Sequence, residues 1–147
     1  MTKEVLVAVK GLQFASGEEG EEIESIYPGQ YYEKNGARYI LYEEPMEGYD
    51  QVTKVTIKIK PTEMVLTKKG IINVRMDFVE KQKNMTNYQT PFGSLLFGVD
   101  TSSIQIQEKE DDLQIQVDYV LDLNYEYLSD CKIEILVKPK EEGIALQ

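Results

Sequence analysis

The chain has 147 residues, the length of one ordinary domain, and is 41% apolar and 10% aromatic, enough for a folded core. Sixteen basic against 26 acidic side chains leave a net charge of −10, which argues against generic coating of nucleic acid and against anionic surfaces. Histidine is absent and cysteine occurs once, so triad-type serine or cysteine hydrolysis, a zinc site and an intramolecular disulfide are excluded.

Met1 runs into Thr2-Lys3-Glu4-Val5 without an apolar signal region, and no apolar run approaches the roughly 20 residues of a membrane span. The expectation is a cytoplasmic protein that neither enters membranes nor binds nucleic acid. The dominant period is two, beginning at Val5, Val7 and Val9. The acidic stretch Ser16–Glu22 reads as a solvated hairpin tip. Asn35-Gly36, between Tyr31-Tyr32 and Tyr39–Leu41, supplies the two positive-φ residues of a type I′ hairpin turn. Alternation returns at Val55, Ile57 and Ile59, breaks at Lys60-Pro61-Thr62-Glu63, and returns again at Ile72, Val74, Met76 and Phe78 after Lys69-Gly70. Ile104 and Ile106 precede the polar break Glu110-Asp111-Asp112, and Leu113, Ile115, Val117, Tyr119, Leu121 and Leu123 follow it. Cys131 sits in a last alternating run with Ile133, Ile135 and Val137, where it reads as a small core residue.

These runs predict about ten strands, over 3–15, 21–33, 38–44, 51–60, 63–68, 71–80, 85–90, 94–100, 102–109 and 112–123, with 126–138 a further one. The connections are too short for helical crossovers, so consecutive strands pair as a meander. A twelve-residue strand spans roughly 40 Å, and a twisted sheet of such strands curls closed. The expected fold is all-β, a single antiparallel up-and-down barrel filling residues 1–147, with a two-sheet sandwich as the alternative.

Thr86-Asn87-Tyr88-Gln89-Thr90-Pro91-Phe92-Gly93, followed by Asp100-Thr101, resembles the Tyr-x-Thr-Pro-aromatic-Gly signature of the YwiB-like proteins. Leu66–Gly70 and the hairpin from Tyr31-Tyr32 to Leu41-Tyr42 are similar to that family's pattern as well. The resemblance covers essentially the whole chain. It implies a short bacterial protein of unknown function with a calycin-like, lipocalin-like barrel of about ten strands, and it brings no catalytic or binding residues with it.

A barrel either holds a small guest or is packed solid. If it holds one, Tyr39, Val55, Ile57, Ile59, Met76, Phe78, Phe92, Leu113, Ile115 and Tyr119 are the candidate inner wall, suited to a small hydrophobic or amphipathic ligand. Phe92, between Pro91 and Gly93, alternatively caps one barrel end. The only two arginines, Arg38 and Arg75, either clamp an anionic headgroup from inside or form surface ion pairs. Residues 54–83 carry a charge of +5 and the remainder −15, so one wall is basic; strand lysines also serve as edge protection. No catalytic pair, metal site or cofactor motif stands out. The reading is a non-enzymatic barrel binding a small molecule in its lumen, with a filled barrel acting as a protein-interaction module or homodimer as the alternative.

Overall fold

The computed structural model describes residues 3–11 and 24–140. They form ten strands: β1 (Lys3–Lys10), β2 (Glu24–Lys34), β3 (Ala37–Pro45), β4 (Val52–Lys60), β5 (Glu63–Lys69), β6 (Val74–Val79), β7 (Gln82–Thr90), β8 (Gly93–Lys109), β9 (Asp112–Leu123) and β10 (Glu126–Pro139). All pair antiparallel in one sheet, in the order β6-β5-β4-β3-β2-β1-β10-β9-β8-β7. Each strand lies beside its chain neighbour, and β1 pairs with β10 from Val5↔Pro139 to Lys10↔Glu134. The sheet therefore curls into an up-and-down barrel that is nearly closed. No helix among the described residues is long and apolar enough to cross a membrane.

The seam lies between β6 and β7. Among the described residues their backbones are joined by the bridge Asn73↔Gln89, just ahead of β6, through N–H···O bonds of 3.0 and 2.9 Å. Elsewhere side chains replace the ladder: Asn84 donates to the Asp77 carbonyl at 3.2 Å, and the Thr86 hydroxyl donates to the Arg75 carbonyl. Carbonyls that would otherwise line an open edge are thereby satisfied.

Turn chemistry explains the hairpins. Asn35 and Gly36 have φ of 52° and 79°, the type I′ geometry expected from the Asn-Gly pair. Two strands foreseen over 94–100 and 102–109 are one, β8, because polar Thr101-Ser102-Ser103 forms a bulge against Tyr119 and Asp118 instead of a turn. β2 runs unbroken through Pro28-Gly29; its ladder with β3 begins only at Gly29↔Tyr42, so Pro28 needs no second partner strand. Gly29 also makes room, since a Cβ there would lie 2.5 Å from the Leu41 carbonyl oxygen. The foreseen acidic hairpin tip and the outer ends of the first two strands lie outside the described residues.

Alternation places Val5, Val7, Val9, Ile40, Ile57, Ile59, Met64, Leu66, Met76, Phe78, Leu113, Ile115, Val117, Tyr119 and Ile133 inside, all buried. Opposite walls meet across the axis. Phe78 of β6 packs edge-to-face on Tyr119 of β9 at 5.1 Å, and Arg38 of β3 pairs with Glu108 of β8, half the barrel away. The inward side chains of all these strands form one buried apolar cluster.

Candidate functional site

Strand direction divides the turns between two ends. The base carries the two-residue turns Asn35-Gly36, Pro61-Thr62, Glu80-Lys81 and Glu110-Asp111. The crown carries the connections 46–51 and 70–73 and the turns Pro91-Phe92 and Asn124-Tyr125. Large exposed apolar side chains among the described residues are Ile26, Tyr49, Val52, Met85, Phe92, Leu95, Tyr125, Tyr127 and Leu128. All but Met85 sit in crown turns or within three residues of the crown ends of their strands.

Six of them, Met85, Phe92, Leu95, Tyr125, Tyr127 and Leu128, belong to β7 to β10 and their turns, with Leu95, opposite Tyr88, on the inward parity of Phe97. Met85↔Gly98, Gly98↔Asp122 and Asp122↔Tyr127 make one row across the outer face. Gly98 has no side chain, so Lys83, Met85 and Asp122 close over it; a Cβ there would meet the Lys83 Cε at 2.9 Å and the Met85 Sδ at 3.1 Å. Under this cover Asp122 is buried and ion-paired with Lys83. Nearer the crown, Leu96 is half-buried, and its carbonyl accepts from the Asn124 N–H at 2.8 Å. That bond holds the Asn124-Tyr125 turn beside Leu95. Tyr125 is 76% exposed and Phe92 87% exposed, while Asn124 and Tyr125 have φ of 50° and 70°. An aromatic side chain in the left-handed region is a local strain of the kind that collects at functional sites.

Inside the crown lies a polar cluster. The Lys68 ammonium donates to both oxygens of Glu44, at 3.0 and 3.2 Å, and Lys68 is only 5% exposed. Lys68 of β5 and Glu44 of β3 meet because β4 lies between them, with Glu44↔Thr53 and Val55↔Lys68 in register. Tyr27 stacks on Tyr42 at 4.6 Å, and Tyr88 packs edge-on to Phe97 at 5.4 Å. Burial raises Tyr27, Tyr42 and Tyr88 above the ordinary tyrosine range, and the Glu44 carboxylate adds to each shift. Tyr42 is 4% exposed, and its hydroxyl has no hydrogen-bond partner. These neutral phenols suit hydrogen bonding better than proton abstraction at ordinary pH.

The residues expected to line a lumen divide into three groups. Val55, Ile57, Ile59, Met76, Phe78, Leu113, Ile115 and Tyr119 do point inward, as parts of the packed core. Arg38 also points inward at the base, where Glu108 neutralises it and Tyr31 donates to the neighbouring Glu33 at 3.1 Å. Tyr39, Arg75 and Phe92 are not on the inner wall. Tyr39 is on the outer face, stacked on Tyr32 at 4.8 Å with the Lys58 ammonium 5.8 Å from its ring, because Ile40 and not Tyr39 faces inward with Ile57. Arg75 alternates outward from Val74 and Met76 and pairs with Asp77 at 3.3 Å. Phe92 lies in the turn between β7 and β8 and is exposed. Glu44, Lys68 and the Met85–Tyr127–Leu128 surface carry no period-two signal of their own and were not foreseen as a site.

A groove of about 280 Å³ lies on the outer wall, between the cross-strand rows Lys10–Glu134–Gln116–Gln105 and Ala8–Leu136–Gln114–Gln107. Among the described residues no three carboxylate or thiol groups converge to hold a metal ion.

Residues 7–135 match a family profile described as "Domain of unknown function (DUF1934)". No curated protein matches the chain. Among solved structures, the crystal structure of ywiB protein from Bacillus subtilis is similar, with a TM-score of 0.78 at 23% identity over 94% of this chain and 92% of that one. The shared architecture is the barrel.

Proposed function

The chain belongs to the family of DUF1934 domains, and from the crown just described we propose that it works as a non-catalytic interaction module, a side-chain-filled barrel that docks a protein partner on the wall of β7 to β10. The observation that carries this reading is the gathering of exposed apolar side chains at one end, including a strained and exposed Tyr125. A lumenal carrier draws less support, since the residues expected to line its cavity pack against one another across the axis. The lipocalin-like class forms part of the same reading and is supported by the ten-strand up-and-down order, and a cytoplasmic location is proposed with it.

A photo-crosslinking residue at position 92, expressed in cells, tests it. A discrete adduct from position 92 and none from position 111 at the base is the expected result. Identical patterns from both positions, or none from either, would refute the docking surface. A second reading, a small amphipathic ligand at the inner crown, is favoured only by the unpartnered Tyr42 hydroxyl beside Glu44 and Lys68. Native mass spectrometry of the purified protein decides it: a co-purifying mass that Tyr42→Phe releases supports a ligand, and a bare protein mass ends the idea.

A further inference from the structure

We infer that the partner of the crown surface is a basic amphipathic polypeptide segment, one with apolar anchors flanked by Lys or Arg; this rests on the docking reading above and adds the partner's chemistry to it. On the outer wall of β7 to β10, from the Lys83↔Asp100 pair to the crown, the charged groups are Lys83, Asp100, Asp122 and Asp130. Lys83 is taken up by Asp122, so Asp100 and Asp130 remain as exposed carboxylates on the wall that carries Met85, Tyr127 and Leu128 and ends in the Phe92 and Tyr125 turns. Tyr127 donates to Asp130 at 3.3 Å, which ties one of these carboxylates to the apolar surface itself.

The sign of this field selects among occupants. An apolar patch edged by carboxylates repels the anionic face of a membrane, and the chain's net charge of −10 opposes a second copy. A segment carrying cations beside its apolar side chains is attracted on both counts. Of the lysines in this chain's own basic stretch, Lys83 stands on this wall and is paired with Asp122, whereas Lys54, Lys58 and Lys60 lie on β4 and Lys69 on β5.

Two labelled designed peptides with one shared leucine face, and Lys or Glu on the opposite face, serve as probes by fluorescence anisotropy. The Lys peptide is expected to bind about tenfold more tightly, with affinity falling as salt is added. Asp100→Asn with Asp130→Asn should shrink the difference to about threefold, as two rim charges are removed from a longer-range field. Phe92→Ser with Tyr125→Ser should abolish binding of both peptides. Equal binding of the two peptides, or no effect of the Asn pair, overturns the basic-partner inference while leaving the docking surface standing. Binding of neither peptide overturns it too, and crosslinking at position 92 then decides separately whether the surface docks anything. Self-association in sedimentation that Phe92→Ser removes would name a second copy as the occupant. Flotation with vesicles containing anionic lipid would name a membrane. Either result overturns the inference.

Discussion

Replacing Tyr125 with glycine should make the protein more stable while weakening the surface it serves. Asn124-Tyr125 has φ of 50° and 70°, nearly the geometry of Asn35-Gly36 at 52° and 79°, so one turn type occurs twice with glycine in one copy and tyrosine in the other. Holding an L-residue in the left-handed region costs about 1–2 kcal/mol. Glycine relieves that strain but returns about 0.4–1 kcal/mol through its freer unfolded chain. The lost ring is 76% exposed, and its remaining burial contributes about 0.5 kcal/mol on the usual area scale. The balance is a gain of up to about 1 kcal/mol, or at most about 4 °C in Tm for a domain of this size. Guanidinium unfolding followed by far-ultraviolet circular dichroism measures it, with an unchanged slope required. The reciprocal change checks the backbone account: a Cβ at Gly36 would touch nothing within 4 Å, so Gly36→Ala should cost about 1 kcal/mol from conformation alone. A loss of 1 kcal/mol or more in Tyr125→Gly would refute the reasoning, because it would mean that the exposed ring packs more than its surroundings allow.

Lys68→Met leaves the Glu44 carboxylate buried without its cation and should cost about 3–5 kcal/mol, whereas Lys68→Met with Glu44→Leu should recover most of that loss, as measured by urea unfolding. Tyr42→Phe removes a buried hydroxyl that has no partner and should stabilise the fold by about 1 kcal/mol at neutral pH. Tyr31 is pushed up to about 12, and Tyr42 and Tyr119 are also raised, chiefly by burial. The unfolded chain therefore loses these protons first, so stability is intact below the ordinary tyrosine value of 10.0 and falls as pH rises through and beyond 12. With no tryptophan present, tyrosinate absorbance should rise in two stages, the later one coinciding with loss of the circular dichroism signal; complete ionisation before unfolding would contradict the buried phenols. Phe92→Ser should change stability by no more than about 0.5 kcal/mol, so any loss of binding in that variant reports the surface and not the fold.

The barrel was legible because burial on one face writes itself into the chain every second residue, most plainly over Leu113–Leu123 and Val55–Ile59. Where both faces are apolar or aromatic the signal fails. Over Arg38-Tyr39-Ile40-Leu41-Tyr42 either parity fits the sequence, and only pairing with β4, Ile40 against Ile57, sends Tyr39 outward. The bulge at Thr101-Ser102-Ser103 and the turn at Glu80-Lys81, where Lys81 takes a φ of 63°, use residues that announce neither feature. The crown was less legible still, because a site made of turn tips depends on which hairpins end side by side. Leu96 and Asn124 become neighbours where the β8–β9 ladder reaches the crown, and Glu44 and Lys68, 24 residues apart, through a shared neighbour strand.

The way the barrel closes also narrows how it can recognise anything. A sheet can recruit a peptide by lending it an unpaired strand edge, and here the one incomplete ladder is β6–β7. Asn84 and Thr86 already donate to the Asp77 and Arg75 carbonyls there, so an added strand would first have to displace them. At the base, two-residue turns and the Arg38–Glu108 pair leave no large exposed apolar side chain among the described residues. The docking proposed above therefore uses crown side chains and not a strand edge. It follows that Asn84→Ala with Thr86→Ala, which frees the seam carbonyls, should raise β-mediated self-association without touching the crown. If instead these alanines removed the crosslink at position 92, the seam and the crown would be one surface, and the separation drawn between them would be wrong.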